Sequence, residues 1–166
     1  DFSPLLENPK IFLLGAAGES IGLDVSDQQE VAKAAAEITK RHGRVDVLIN
    51  SAGINHPKRN FRNVSIDGWN QIVAVNLSGM FYCVQAVLPG MRERKEGLII
   101  NISSWAGRYA STLTGPGYNA TKHAVVALTE DLAAHNAKYG VRANSILPGL
   151  MNTPMAIESR VAAGTP

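Results

Sequence analysis

The 166-residue sequence predicts an α/β fold with a doubly wound parallel sheet. Two observations carry that prediction. Short β-branched apolar runs alternate with longer segments of helical periodicity, and capping residues or glycines separate them. Strand–helix–strand alternation calls for right-handed crossovers and a sheet sandwiched by helices, three layers in all. In such sheets ligands bind beyond the carboxyl ends of the strands. No repeat, linker or low-complexity tract interrupts the pattern, so residues 1–166 are expected to form one domain.

The elements follow in order. Asp27-x-x-Glu30 has the form of a capping box, with Val31, Ala34, Ala35 and Ile38 at helical spacing behind it. Gly43 ends that helix. Val45-Asp46-Val47-Leu48-Ile49 reads as a short strand buried on both faces. Asn50 to Ser65 is polar loop, and Asp67 to Arg94 is helix with weak points at Gly79 and Pro89-Gly90. Leu98 to Ile102 is a second buried strand, and Ser103 to Pro116 a loop. Gly117 to Tyr139 is a helix closed by Gly140, and Val141 to Ile146 a strand ending at Leu147-Pro148-Gly149.

Composition narrows the function classes. A net charge of +2 is too small to argue for a nucleic acid or an anionic membrane as partner. No uninterrupted apolar run approaches the roughly 18 residues of a membrane span, and Asp1-Phe2-Ser3-Pro4 is not a secretory signal. The single cysteine, Cys83, lies among Phe81, Tyr82 and Val84 and reads as a buried structural thiol, so a reducing cytoplasm is expected. No His, Cys or acidic cluster has metal-ligand spacing, and no catalytic metal is expected.

Tyr118 and Lys122 are four apart on a helix and present their polar ends to one side. A phenol titrates at about 10, and lowering it by about three units needs roughly 4 kcal/mol. A cation about 4 Å away supplies a similar amount at an effective dielectric of about 20. By itself the pair also fits an ordinary solvated helix. Ser104 stands 14 residues before Tyr118, at the end of a buried strand, where a loop can bring its hydroxyl beside the phenol. Ser103-Ser104 alone equally fits a simple loop start. Asn76 interrupts an apolar helical pattern; an inward amide needs partners, a bend or a water, and a locally satisfied asparagine is the plainer alternative.

Together these residues resemble the short-chain dehydrogenase/reductase family, from about Leu23 to Met155 and through six motifs in order. Asp24-Val25 is similar to the acidic dipeptide whose aspartate approaches the adenine. Asn50-Ser51-Ala52-Gly53 resembles the turn lining the adenosine side, with Ser51 in place of the usual asparagine. Asn76, Ser104, Tyr118 and Lys122 match the family's catalytic tetrad. Pro148-Gly149 and Thr153-Pro154-Met155 resemble the segment that holds the nicotinamide carboxamide.

The resemblance implies a Rossmann-like domain and an oxidoreductase acting on a carbonyl or secondary alcohol with NAD or NADP, as 3-oxoacyl reductases and alcohol, polyol or steroid dehydrogenases do. It implies Tyr118 as general acid and base, Lys122 lowering its pKa and binding the ribose, Ser104 polarising the substrate oxygen, and Asn76 supporting a water in a proton relay. A homodimer or homotetramer is implied through the helices beginning at Asp67 and Gly117. The reading from another class is a catalytically silent chain of this type serving as a binding or assembly module.

The sequence departs from the family pattern at its start. Only 23 residues precede Asp24, whereas a βαβ unit needs roughly 30 or more. Ile11-Phe12-Leu13-Leu14-Gly15 reads as a first strand entering a glycine turn, joined almost directly to a third. Alternatively, Gly18 to Gly22 is merely the turn entering that third strand. Part of the N-terminal βαβ unit and the C-terminal strand are therefore expected to be lacking. The phosphate-binding loop and the choice between NAD and NADP are not legible. Trp105, Arg108 and Tyr109 either shape a substrate pocket or pack against a neighbouring helix or subunit. His56, Lys58 and Arg59 read as a solvated loop.

Overall fold

The computed structural model describes residues 10–12 and 20–149. Along them run β1 (Lys10–Phe12), β2 (Gly22–Asp24), α1 (Gln28–His42), β3 (Val47–Asn50), α2 (Ile66–Val73), α3 (Met80–Glu93), β4 (Gly97–Ile102), α4 (Gly115–Asn136) and β5 (Val141–Ile146). Strands β3, β4 and β5 form a parallel sheet in that order, Asn50 level with Asn101 and Asn101 with Ser145. Each crossover between them carries helix, as the alternation predicts. Gly15, Gly18, Thr153, Pro154 and Met155 lie outside the described residues.

Helix α1 starts where the cap signal places it. The Asp27 carboxylate accepts from the N–H groups of Gln29 and Glu30, at 2.7 and 3.1 Å. Glu30 does not close the reciprocal half of a capping box; its carboxylate accepts instead from Asp24 N, at 2.7 Å, and ties β2 to the helix. The helix ends at Gly43, whose φ of 82° only glycine adopts freely.

One face of the sheet is the core. Leu48, Ile99, Val141 and Ala143 pack with Val31 and Ala34 of α1, Val84, Leu88 and Met91 of α3, and Val125 of α4. The opposite face departs from the expectation of a strand buried on both sides. Val47 is 48% and Ile49 55% exposed, because the helices described all gather on the core face. The described residues thus supply the sheet and one helical layer of the three.

Strand β1 pairs antiparallel with β2, Ile11 level with Leu23, outside the parallel sheet.

The stretch expected to be helical from Asp67 is so, but its first irregularity precedes Gly79. Residues Ala74–Gly79 form a π-helical turn between α2 and α3, and Pro89 sits within α3. By length and composition Ile66–Glu93 would pass as a membrane span. It escapes a search for uninterrupted apolar sequence because Asn70, Gln71 and Asn76 break it. Ile72, Val75, Met80, Val84 and Leu88 from this stretch are buried core, which accounts for its hydropathy.

Candidate active site

Four segments meet at the carboxyl ends of β3 and β4. Ser104 follows β4 and caps a 3₁₀ turn, Trp105–Gly107, its Oγ accepting from Ala106 N at 3.1 Å. That leaves the hydroxyl proton free, and Ser104 hydrogen-bonds the Tyr118 phenol. The turn lies hard against α4: a Cβ at Gly107 would stand 2.7 Å from the Lys122 carbonyl, so only glycine allows the approach. Ser103 Oγ donates to that same carbonyl at 2.8 Å. Trp105 N donates to Pro148 O at 2.8 Å, which brings the Pro148–Gly149 segment beside Ser104.

Lys122 lies one turn below Tyr118 on α4, and its Nζ sits 5.6 Å from the centre of the Tyr118 ring. The ammonium donates to Ile102 O at 2.9 Å. The Asn50-Ser51-Ala52-Gly53 turn passes over it, with the Cβ position of Gly53 3.3 Å from Nζ and 3.7 Å from Asn76 Oδ1. Asn76, in the π-helical turn, is 1% exposed. Its Oδ1 accepts from Ile54 N at 2.7 Å, and its Nδ2 donates to Ile54 O at 2.9 Å and to Thr121 Oγ1 at 3.4 Å. The inward amide is therefore locally satisfied, and it fixes the chain just after Gly53. Beside it a cavity of about 10 Å³, near the lower limit for one water, is lined by Asn50, Asn76, Asn101 and Cys83 among others.

Electrostatics depart from the expectation in one respect. Burial pushes the Tyr118 phenol above its ordinary value, and the Ser104 hydrogen bond only partly offsets this. The expected lowering by Lys122 does not appear, because Nζ faces the ring and the Ile102 carbonyl. Burial pushes Lys122 itself down to about 8, and the Cys83 thiol up to about 11. Cys83 is a buried free thiol, as its apolar neighbours suggest.

On the adenosine side, Asn50 Nδ2 donates to Asn101 Oδ1 at 2.8 Å, and Asn101 Nδ2 to Thr129 Oγ1 at 2.9 Å. This buried polar chain joins β3, β4 and α4. Val25 is buried, whereas Asp24 is exposed and accepts from Ser26 N and Oγ. Ser51 is exposed and Ala52 half-buried.

The sequence reading missed several supporting residues. Thr121 belongs to the Tyr118–Lys122 pentapeptide itself, and Asn101 is the polar residue in an apolar strand; both signals were present. Ser103 and the Ile102 carbonyl act through a hydroxyl and main chain that no pattern marks.

A family model described as short chain dehydrogenase matches residues 13–163. An uncharacterized oxidoreductase YxbG of Bacillus subtilis is 40% identical over 141 residues, 85% of this chain and 51% of that protein. D-beta-hydroxybutyrate dehydrogenase of Rhizobium meliloti is 36% identical over 132 residues, 80% of this chain and 50% of that protein. The solved structure of ElxO with NADP bound superposes with a TM-score of 0.78 at 31% identity, covering 86% of this chain and 57% of that one. The chain spans about half the length of these relatives.

Proposed function

Because the chain belongs to the short chain dehydrogenase family, we propose that it moves hydride between NAD or NADP and a carbonyl or secondary alcohol, with Tyr118 as general acid and base. The observation that carries this reading is the meeting of Ser104, Tyr118, Lys122 and Asn76 around the Asn50–Gly53 turn. The residues present fit a dinucleotide: Gly53 adds no side chain over Lys122 Nζ, where a Cβ would stand 3.3 Å away, and Asp24 presents an exposed carboxylate.

Bound nicotinamide supplies or accepts the hydride. In reduction Tyr118 gives its proton to the carbonyl oxygen, and in oxidation it takes the alcohol proton. Ser104 donates to the substrate oxygen, where negative charge develops. Lys122 would hold the ribose. Asn76 holds the Gly53–Ile54 backbone against Lys122 and supports a water in proton relay. Asp24 and the main chain of Val25 would hold the adenine, Asn50, Ser51, Ala52 and Gly53 would line the adenosine, and Pro148 and Gly149, together with Thr153 outside the described residues, would hold the carboxamide.

The same reading gives one Rossmann-like domain over 1–166, a small-molecule substrate, a cytoplasmic setting and a homodimer or homotetramer. Exposed Trp69, Phe81 and Leu128 on α2, α3 and α4 support assembly through those helices. D-3-hydroxybutyrate is the first substrate to try, given the R. meliloti relative. Oxidation is followed by reduced-nicotinamide absorbance, and cofactor binding by fluorescence titration. Tyr118→Phe is expected to abolish turnover while leaving cofactor affinity within about three-fold. Turnover in that variant near the parent rate would sink the mechanism; a parent that binds neither cofactor would favour the silent binding module.

A further inference from the structure

Fourteen positions separate Ser104 from Tyr118, and the far end of that loop is held by one side chain that the mechanism above does not use. Asn119 follows Tyr118 directly on α4. Its Oδ1 accepts from Thr114 Oγ1 at 2.6 Å and from Ser111 N at 3.3 Å, and its Nδ2 donates to Ser111 O at 2.8 Å. The carboxamide thus grips both main-chain groups of Ser111, as a neighbouring strand would, and takes the Thr114 hydroxyl besides. The other side of the turn is tied as well: Asn55 Nδ2 donates to Thr114 O at 3.1 Å. Gly115, at φ 76°, presses against the Arg59 carbonyl so closely that a Cβ would collide with it.

The near end of the loop is pinned independently, by Ser103 Oγ on Lys122 O and Trp105 N on Pro148 O. With both ends held, the span that sets Ser104 against the Tyr118 phenol has little freedom to drift.

We infer that Asn119 is a positioning residue: by clamping the Ser111–Thr114 turn to α4 beside Tyr118, it fixes the loop that presents Ser104 to the substrate oxygen. Through Thr114 and Asn55 the clamp also joins this loop to the chain that follows the Asn50–Gly53 turn. It acts through other groups and touches no reacting atom. The inference rests on the assignment of Ser104 and Tyr118 above.

The test compares Asn119→Ala, Asn119→Asp, Thr114→Val and Ser111→Ala with the parent, using D-3-hydroxybutyrate and the cofactor that the parent turns over. Asn119→Ala is expected to lower kcat/KM by about 10- to 100-fold, the scale of a misplaced catalytic group, with cofactor affinity within about two-fold. Asn119→Asp keeps the acceptor and loses the donor, so it should fall between. Thr114→Val removes the Oγ1 bonds to Asn119 Oδ1 and Ser111 O and should lower kcat/KM by about three-fold or more. Ser111→Ala keeps the main-chain groups that Asn119 grips and loses only the Leu113 N bond to Oγ at 3.2 Å, so it should stay within about two-fold of the parent.

A second readout does not need turnover. Tyrosine ionisation is followed by ultraviolet difference titration, and the Tyr118 step is identified by its loss in Tyr118→Phe. Releasing Ser104 should move that step to higher pH in Asn119→Ala and leave it in place in Ser111→Ala. Unchanged kinetics and an unchanged Tyr118 step in Asn119→Ala would overturn the clamp while leaving the proposed reaction standing, as would Ser111→Ala proving equally damaging. If the parent turns nothing over, the proposed function is what fails, and the titration still decides the clamp. Should Asn119→Ala not fold, Thr114→Val and Asn55→Ala carry the titration separately, and no movement in either overturns it.

Discussion

Lys122 is a cation buried to 4% exposure, and stability must reflect that. Burial pushes its ammonium down to about 8 from an ordinary 10.5. Below the lower value both folded and unfolded chains hold the proton, and the folded chain bears the whole cost of burying it, about 3 kcal/mol. Between the two values the folded chain has released the proton while the unfolded chain still binds it, so stability rises with pH and the cost fades. Lys122→Met keeps all but the last atom of the side chain and removes the titration. From pH 7 to pH 10 the parent should therefore gain about 2.5 kcal/mol relative to this variant. At pH 7 the variant should be the more stable by about 1–2 kcal/mol, after an allowance for the Ile102 carbonyl left without its donor. Urea unfolding of both proteins at several pH values measures the difference, since other groups titrate alike in the two and cancel. A gap that narrows by less than about 1 kcal/mol over that range would refute the reasoning. The same variant is expected to lose turnover, so greater stability and lost activity should arrive together.

Three further outcomes follow from the geometry. Asn76→Ala strands Ile54 N and O and should cost about 2–4 kcal/mol, read as a lower urea midpoint at unchanged slope; a cost below about 1 kcal/mol would show that the inward amide supports little. Gly107→Ala drives a methyl group into the Lys122 carbonyl and should cost about 1–3 kcal/mol, seen as a fall in Tm, with a parent-like Tm counting against the close approach of the 3₁₀ turn. Burial raises the Tyr118 phenol, so its base form is scarce and gains population steadily as pH rises: alcohol oxidation should climb from pH 7 to pH 9 while carbonyl reduction, which uses the acid form, stays level, and a flat oxidation profile would remove Tyr118 as the base.

Much of this was legible in the sequence, for identifiable reasons. A spacing of four on a helix places Tyr118 and Lys122 together whatever surrounds them, and an asparagine inside Val75-Asn76-Leu77 must find partners. Ser104 is legible because it ends an apolar strand. Two things depend instead on three-dimensional detail. The direction of the Tyr118 shift turns on whether Nζ meets the phenolic oxygen or the ring, and spacing does not say which. The apolar character of Val47 and Ile49 predicts a covering layer, but no helix among the described residues lies over them. The Asn119 clamp was hidden for another reason: most of its bonds go to main chain, which has no sequence signature.

The π-helical turn at Ala74–Gly79 has a consequence for how this chain tolerates change in length. Such a turn holds one residue more than an α-helical turn, and each α-helical residue rotates the side chain by about 100°. Deleting a single residue there would let the stretch relax into ordinary helix. Because the π turn spends its extra residue on the same full rotation, the downstream half would keep its phase, and Ile72 and Val84 would both still face the core. The turn itself would change, and Asn76 would lose the setting that holds its amide on Ile54. Loss of one residue at this point therefore spares the packing on either side and strikes the site alone, whereas the same loss anywhere else along α2 or α3 would throw one half out of phase with the core.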